Sequence, residues 1–266
     1  MQMQGMSNFA RLAVLTYRGA FVSWQGGGYI TRVFFQPLLH VLTVVLAGKF
    51  AGSPEAAERY VIGLLAFSII FVIAFGVLEA LFYDRSYGIL SIMFLSPAHR
   101  LMIYFARVGV HWLNAIVTFA IGLTGAWLIL GLDLSSVEWT SLLVTMAAMI
   151  VSSTTFALLI GSVTLVLFQF TFVFQFVYGV AMLLTGAIIP VDRLPDFLRV
   201  VSQIIPFTHG IVALRGSFAG AGIADIAGHL LLELAIGLGY AVAGFALFRL
   251  MERETKRRGN LEQITE

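Results

Sequence analysis

Acids, imidazoles and guanidiniums set inside long apolar runs are the residues of this chain with chemical potential. Glu79 closes one apolar run, and Arg100 and Arg107 open the next. Such a set reads as a structural ion pair, with a proton-relay role for Glu79 as the alternative. His111 and Asn114 lie three residues apart, and His229 and Glu233 four apart, so each pair shares one helix face. A His/Glu pair can ligate a metal, but two ligands without a third do not make a site, and no metal is expected. Hydrogen bonding between helices and contact with a substrate are the other readings of these pairs. The chain has no cysteine, which excludes thiolate catalysis and thiolate metal sites. It has no Gly-x-Ser-x-Gly, and no Gly-x-x-x-x-Gly-Lys-Ser/Thr loop to cradle a nucleotide.

The elements that must carry these residues follow from composition. Of 266 residues, 59% are hydrophobic and 11% charged, where soluble domains average about 25% charged. The apolar residues fall in runs of about 20, the length of helix needed to cross a bilayer core of about 30 Å. A soluble enzyme, a disordered chain and a disulfide scaffold are excluded. The net charge of +2 comes from basic residues scattered between apolar runs, which argues against a nucleic-acid partner. The first 28 residues lack a continuous apolar core, so no cleavable signal peptide is expected.

Six spans are expected, over roughly 30–50, 60–82, 102–130, 141–168, 170–190 and 227–250, the fourth and fifth parted by a tight turn at Phe168-Gln169-Phe170-Thr171. An even count puts both termini on one side. Arg11, Arg18, Arg32, Arg85, Arg100, Arg107, Arg249, Arg253, Lys256, Arg257 and Arg258 fall on that side. Lys49, Arg59, Arg193, Arg199 and Arg215 fall on the other. Eleven against five predicts cytoplasmic termini. Before the first span, Met6, Phe9, Ala13, Tyr17, Phe21 and Trp24 recur at helical spacing, as in an amphipathic helix lying in the headgroup layer.

Two connections are more than linkers. The cytoplasmic one, Glu79 to Arg100, contains Asp84-Arg85, Gly88-Ile89-Leu90 and Ser96-Pro97-Ala98-His99-Arg100. It keeps Ile92, Met93, Phe94 and Leu95, so a short apolar helix there must bury against something. A groove on a cytoplasmic partner and the lipid surface are equally good occupants on physics alone. The outer connection runs from Gly186 through Pro190, Leu194-Pro195 and Pro206-Phe207-Thr208-His209 to Arg215-Gly216. Leu194, Phe197, Leu198, Val201, Ile204 and Ile205 form one stripe in it. Irregular backbone at membrane depth is tolerated only when buried in protein or lining a cavity, which predicts a re-entrant hairpin.

These two strings resemble those of the ABC-2 family of export permeases, the membrane subunits of type V ABC exporters. The resemblance covers nearly the whole chain. It implies a single transmembrane domain over 1–266: an interfacial helix (1–28), a six-span all-α core (29–250) and a cytoplasmic tail (251–266). It implies that Asp84, Arg85, Gly88, Leu90, Leu95, Ser96, Pro97 and Arg100 form a coupling helix docked on a separate ATP-binding subunit. Two copies of that subunit would hold ATP and Mg, with no cofactor on this chain. A second permease copy, identical or related, would complete the pathway in the cytoplasmic (inner) membrane. Glu79 and Arg107 would transmit motion, and Gly186, Pro190, Pro195, Pro206 and His209 would shape the outer hairpin.

For the pathway, His111, Asn114, Phe172, Gln175, Phe176 and Tyr178 are the candidates. Twenty-three phenylalanines against four tryptophans suit a hydrophobic or amphipathic cargo, such as a drug-like compound, lipid or lipid-linked molecule. Polysaccharide or glycolipid export is the alternative within the family. An ion-coupled secondary transporter would show matching broken helices in its two halves, and none are visible. An intramembrane hydrolase lacks its nucleophile and base.

Overall fold

The computed structural model describes residues 31–35, 37–39, 41–43, 46, 54–86, 100–164 and 170–258. The interfacial helix expected over 1–28 lies outside them, and so does part of the first expected span. What is described is helical: α1 (Pro54–Ser86), α2 (Arg100–Gly125, continuing as a π-helical turn Ala126–Leu130), α3 (Trp139–Thr164), α4 (Phe170–Leu184), α5 (Asp196–Ile204), α6 (Thr208–Phe218) and α7 (Ile223–Arg258). No strand occurs among the described residues.

Four of these helices, α1, α2, α3 and α7, are long and apolar enough to cross a membrane, and a fifth crossing is reached if α5 and α6 count as one bent span. They differ in how they are covered. The apolar window of α1 is 78% buried within the chain and that of α7 only 22%. α1 is the spine, packing against α2, α3, α4 and α6. Its sequence explains this, since a helix apolar on every side can be buried on every side. Val61, Leu65, Ile69 and Ile73 are all enclosed. Pro54 opens it, where a missing N–H costs nothing.

α3 and α7 form the most extensive pair. Small residues bring their backbones together. Ser152 Oγ donates to the Glu233 carbonyl at 3.2 Å and Ser162 Oγ to the Gly244 carbonyl at 3.1 Å. A side chain at Gly237 or Gly244 would meet Ser152 or the Leu159 backbone within 3.0 Å. Within membranes such close contacts replace the hydrophobic drive that water supplies elsewhere, each hydrogen bond adding about 0.6 kcal/mol. On the other flank, Tyr178 and Phe174 of α4 pack edge-on against Phe67 and Phe71 of α1 at 5.2–5.6 Å between ring centres.

The connections sort into two ends. Glu138 N–H donates to the Ser217 carbonyl at 2.9 Å and Ser136 Oγ to that of Phe218 at 3.1 Å, so the α2–α3 loop sits with the end of α6. The Glu138 carboxylate accepts the Ser141 N–H at 2.7 Å and caps α3, a contact that holds its carboxyl below the usual range. At the other end, Leu81 lies against Gly161, and Ser162 against Gly244. The ends of α1, α3 and α7 there carry Arg85 and the cluster from Arg249 to Arg258.

The fifth expected span is where sequence and structure differ most. Helix α4 stops at Leu184 rather than 190, and 185–189 leave helical geometry with Gly186 at φ 82°. That bend passes so close to α1 that a Cβ on Gly63 would lie 2.0 Å from the Ala187 carbonyl oxygen. Gly63→Ala is therefore expected to destabilise the purified chain by about 1–3 kcal/mol. Gly239→Ala, with open space around it, should leave melting in detergent unchanged or slightly higher. Equal melting of the two variants would contradict this packing.

Candidate functional site

The break between α5 and α6 is the most heavily furnished place in the chain. The two helices meet at 87°, with Ile205, Pro206 and Phe207 forming the corner. Proline cannot donate, and Phe207 takes φ 86°, the only non-glycine residue among those described with a left-handed backbone. Such a conformation costs of order 1–3 kcal/mol in a non-glycine residue. Burial of the Phe207 ring offsets part of it, with the Phe156 ring edge-on at 5.1 Å.

An α-helix begins with N–H groups that lack partners, normally satisfied by Ser, Thr, Asp or Asn at the cap. α6 has phenylalanine there and no cap of its own. Glu233 supplies it from α7. Its carboxylate accepts the Phe207 N–H at 2.9 and 3.1 Å, and the Gly210 N–H at 2.9 Å. Glu233 is 0% exposed. One turn earlier on α7, His229 faces His209 of α6, Nδ1 to Nδ1 at 3.4 Å. Ring centres 5.6 Å apart put the two nitrogens on the line between the rings, the geometry for a hydrogen bond whenever one Nδ1 carries a proton and the other does not. The pairing of His229 with Glu233 on one face is as expected, and what the two do is join helices. Among the described residues no three His, Asp or Glu side chains gather as a metal would need.

The far end of α6 is tied down by Arg215. Its Nη2 donates to the carbonyls of Gly186 at 2.8 Å and Ala187 at 3.1 Å, with that of Arg59 on α1 at 3.4 Å. These are the carbonyls freed where α4 unwinds. Thr208 Oγ1 donates to the Ser202 carbonyl at 2.7 Å across the corner. The outer motifs, spread over thirty positions from Gly186 to Gly216, are thus one assembly built around α6.

The other candidates divide. Pro190 and Pro195 flank the turn Val191–Arg193 and the start of α5, each in extended backbone. The expected stripe of the hairpin splits: Leu194 is buried, while Phe197, Val201 and Ile204 lie exposed together on α5. Phe172 (69%) and Phe176 (65%) stack on the outward face of α4 with Gln175 exposed between them, whereas Tyr178 turns inward onto α1. His111 and Asn114 are buried in α2, the imidazole lying against Gly76 of α1. Glu79 is buried one turn along from Gly76. The six proposed pathway residues do not converge within one chain. Asp84 and Arg85 end α1 and Arg100 opens α2. Arg107 is in α2, its side chain outside the description, and Gly88, Leu90, Leu95, Ser96 and Pro97 lie outside the described residues altogether.

Arg215 and Glu233 were weighed in the sequence as a topological charge and as half of a weak pair. The signal that could have found them is general: a short helix without a capping residue, beside a non-helical bend at membrane depth, needs a donor and an acceptor from elsewhere.

A family model described as ABC-2 type transporter matches residues 10–219. No curated protein matches the chain.

Replacing Arg215 by Met should leave the Gly186 and Ala187 carbonyls unpaired and cost about 1–3 kcal/mol, with Arg215→Lys between Met and wild type. Thermal melting, together with faster proteolytic cleavage in 185–195, would register it. An Arg215→Met chain as resistant as wild type would contradict the assignment.

Proposed function

The chain belongs to the ABC-2 type transporter family, and from that premise we propose that it is an exporter permease for a hydrophobic or amphipathic cargo. Membership makes it the non-catalytic, multi-pass membrane component of an ABC-type transporter that works with an ABC ATP-binding subunit. Beyond this, the proposal holds that two ATP-binding subunits, carrying ATP and Mg, serve two copies of this permease or this chain and a related one. Six spans with cytoplasmic termini place the hairpin outside and the 87–99 connection inside.

The observation that carries the reading is the division of the chain into two ends. The basic residues of Arg85 and of Arg249–Arg258 collect at one end, and the corner built on α6 occupies the other. A bilayer asymmetry of Lys and Arg orients such a chain with its basic end in the cytoplasm. There α1 delivers Asp84 and Arg85, and α2 departs from Arg100, so the connection between them hangs from two helices of the core. Force applied to it reaches α1, the most enclosed helix.

The cargo reading is supported by the outward face of α4. Phe172, Gln175 and Phe176 point away from the chain's own core, onto a surface that a second copy would turn into one wall of a shared pathway. The face is apolar apart from the Gln175 amide, which favours lipid-like or drug-like solutes over polysaccharide.

Leu90→Asp and Gly88→Asp are expected to weaken association with a co-expressed ABC ATP-binding subunit by about tenfold or more, equivalent to about 1.4 kcal/mol or more, with unchanged melting of the permease. The check is quantitative co-purification. Full retention of the ATP-binding subunit by both variants would refute the docking assignment.

A further inference from the structure

We infer that Glu233 is a positioning residue of the transport cycle: its carboxylate fastens α6 to α7, so that the outer corner and the last span move as one body. The inference rests on the permease reading for its functional meaning, while the fastening itself stands on geometry alone.

Every hydrogen bond at the Glu233 side chain among the described residues is one that it accepts. Oε2 takes both the Phe207 and the Gly210 N–H, and Oε1 takes Phe207. A proton on Oε2 would have no acceptor in this set and would displace a donor. An ionised carboxylate aimed at a helix N-terminus also gains from the partial positive charge there. The side chain is therefore held still as the acceptor at the start of α6.

The local sequence is shaped to let that charge in. Gly210 leaves room, since a Cβ there would lie 3.4 Å from the Glu233 carboxyl carbon and 2.8 Å from Met149. The strained backbone of Phe207 is held in part by its N–H meeting both carboxylate oxygens. Behind Glu233, α7 is closed onto α3 through Ser152 and Gly237. The line of fastening thus runs from α6 through Glu233 to α7 and on to α3. An apolar isostere breaks it at one point, because Met offers no oxygen acceptor to the Phe207 and Gly210 N–H groups.

The absence of cysteine allows a direct test. Spin labels at Val212 of α6 and Leu238 of α7, both exposed, report the distance between the two helices in the complex with its ATP-binding subunit, with and without ATP and vanadate. In the wild type the distribution should be narrow and the same in both states. Glu233→Met should widen it roughly twofold, and amide exchange over 205–212 should accelerate by about tenfold or more. If Glu233→Met does not fold, Glu233→Asp, which keeps the carboxyl on a shorter arm, must show the same changes to a smaller degree. A variant distribution as narrow as wild type overturns the fastening. A wild-type distance that shifts on trapping overturns the single-body motion. Should no ATP-binding subunit associate, the permease reading fails by itself, and the nucleotide-free comparison still decides the fastening.

Discussion

Peptide groups that leave a helix inside an apolar environment must find partners within the protein, because no water is there to take them. Two breaks in this chain raise that demand: the unwinding of α4 at Thr185 and the corner before α6. Both are met by ionic side chains attached to one short helix. Glu233 accepts at its N-terminus and Arg215 donates from its last turn. The signs are also the right ones, a negative group at the positive end of the helix dipole and a positive group near the negative end. An eleven-residue helix is too short to be stable by itself. Here it is stable because each end is finished by something that another part of the chain needs.

That arrangement fixes what the neighbouring helices can be. α7 must present a carboxylate at the depth of the corner, although 28 of its residues form an apolar span. α1 must come close to the unwound segment, so it carries Gly63 where any side chain would collide with Ala187. α3 must let α7 approach closely enough to aim Glu233, and it does so with serines at 152 and 162 that serve as both small residues and donors. None of these choices follows from making a membrane-spanning helix. All follow from holding a non-helical corner beside one.

The sequence was legible where a residue's effect is local. Runs of apolar residues located α1, α2, α3 and α7, with α1 starting six residues earlier and α7 ending eight residues later than the expected spans, since apolar length is set by the bilayer and polar ends extend beyond it. Pro190, Pro195 and Pro206 marked the irregular segment correctly, because proline's restrictions act on its own backbone. The end of α4 was missed by six residues. Ala187, Ile188 and Ile189 are good residues for an apolar helix, and the contact of the Gly186 and Ala187 carbonyls with Arg215, far along the chain, favours the unwound form. The roles of Arg215 and Glu233 were hidden for the same reason. Each acts on backbone atoms, which leave no trace of identity in the sequence.

The two flanks of α1 are joined by different kinds of contact, and the difference bears on what can move. On the flank of α3, α6 and α7, hydrogen bonds to fixed backbone atoms tie α3 to α7, and α6 to α7, to Arg59 of α1 and to the 186–187 bend, several of them made by ionic groups. Such bonds are directional, and those made by charged groups are about twice as strong as neutral ones. Toward α4 the contacts are aromatic edges, Phe67, Phe71 and Phe174 around Tyr178. Ring pairs are worth about 0.5–1.5 kcal/mol and keep much of it over a range of offsets and tilts. A displacement of an ångström therefore breaks contacts on the first flank and only rearranges them on the second. The corner, α7 and α3 are thus the more tightly tied group, and α4 is seated on the spine by contacts that tolerate a shift. That is also the side on which Phe172 and Phe176 face outward, so the exposed aromatic face belongs to the helix whose seating can change most cheaply.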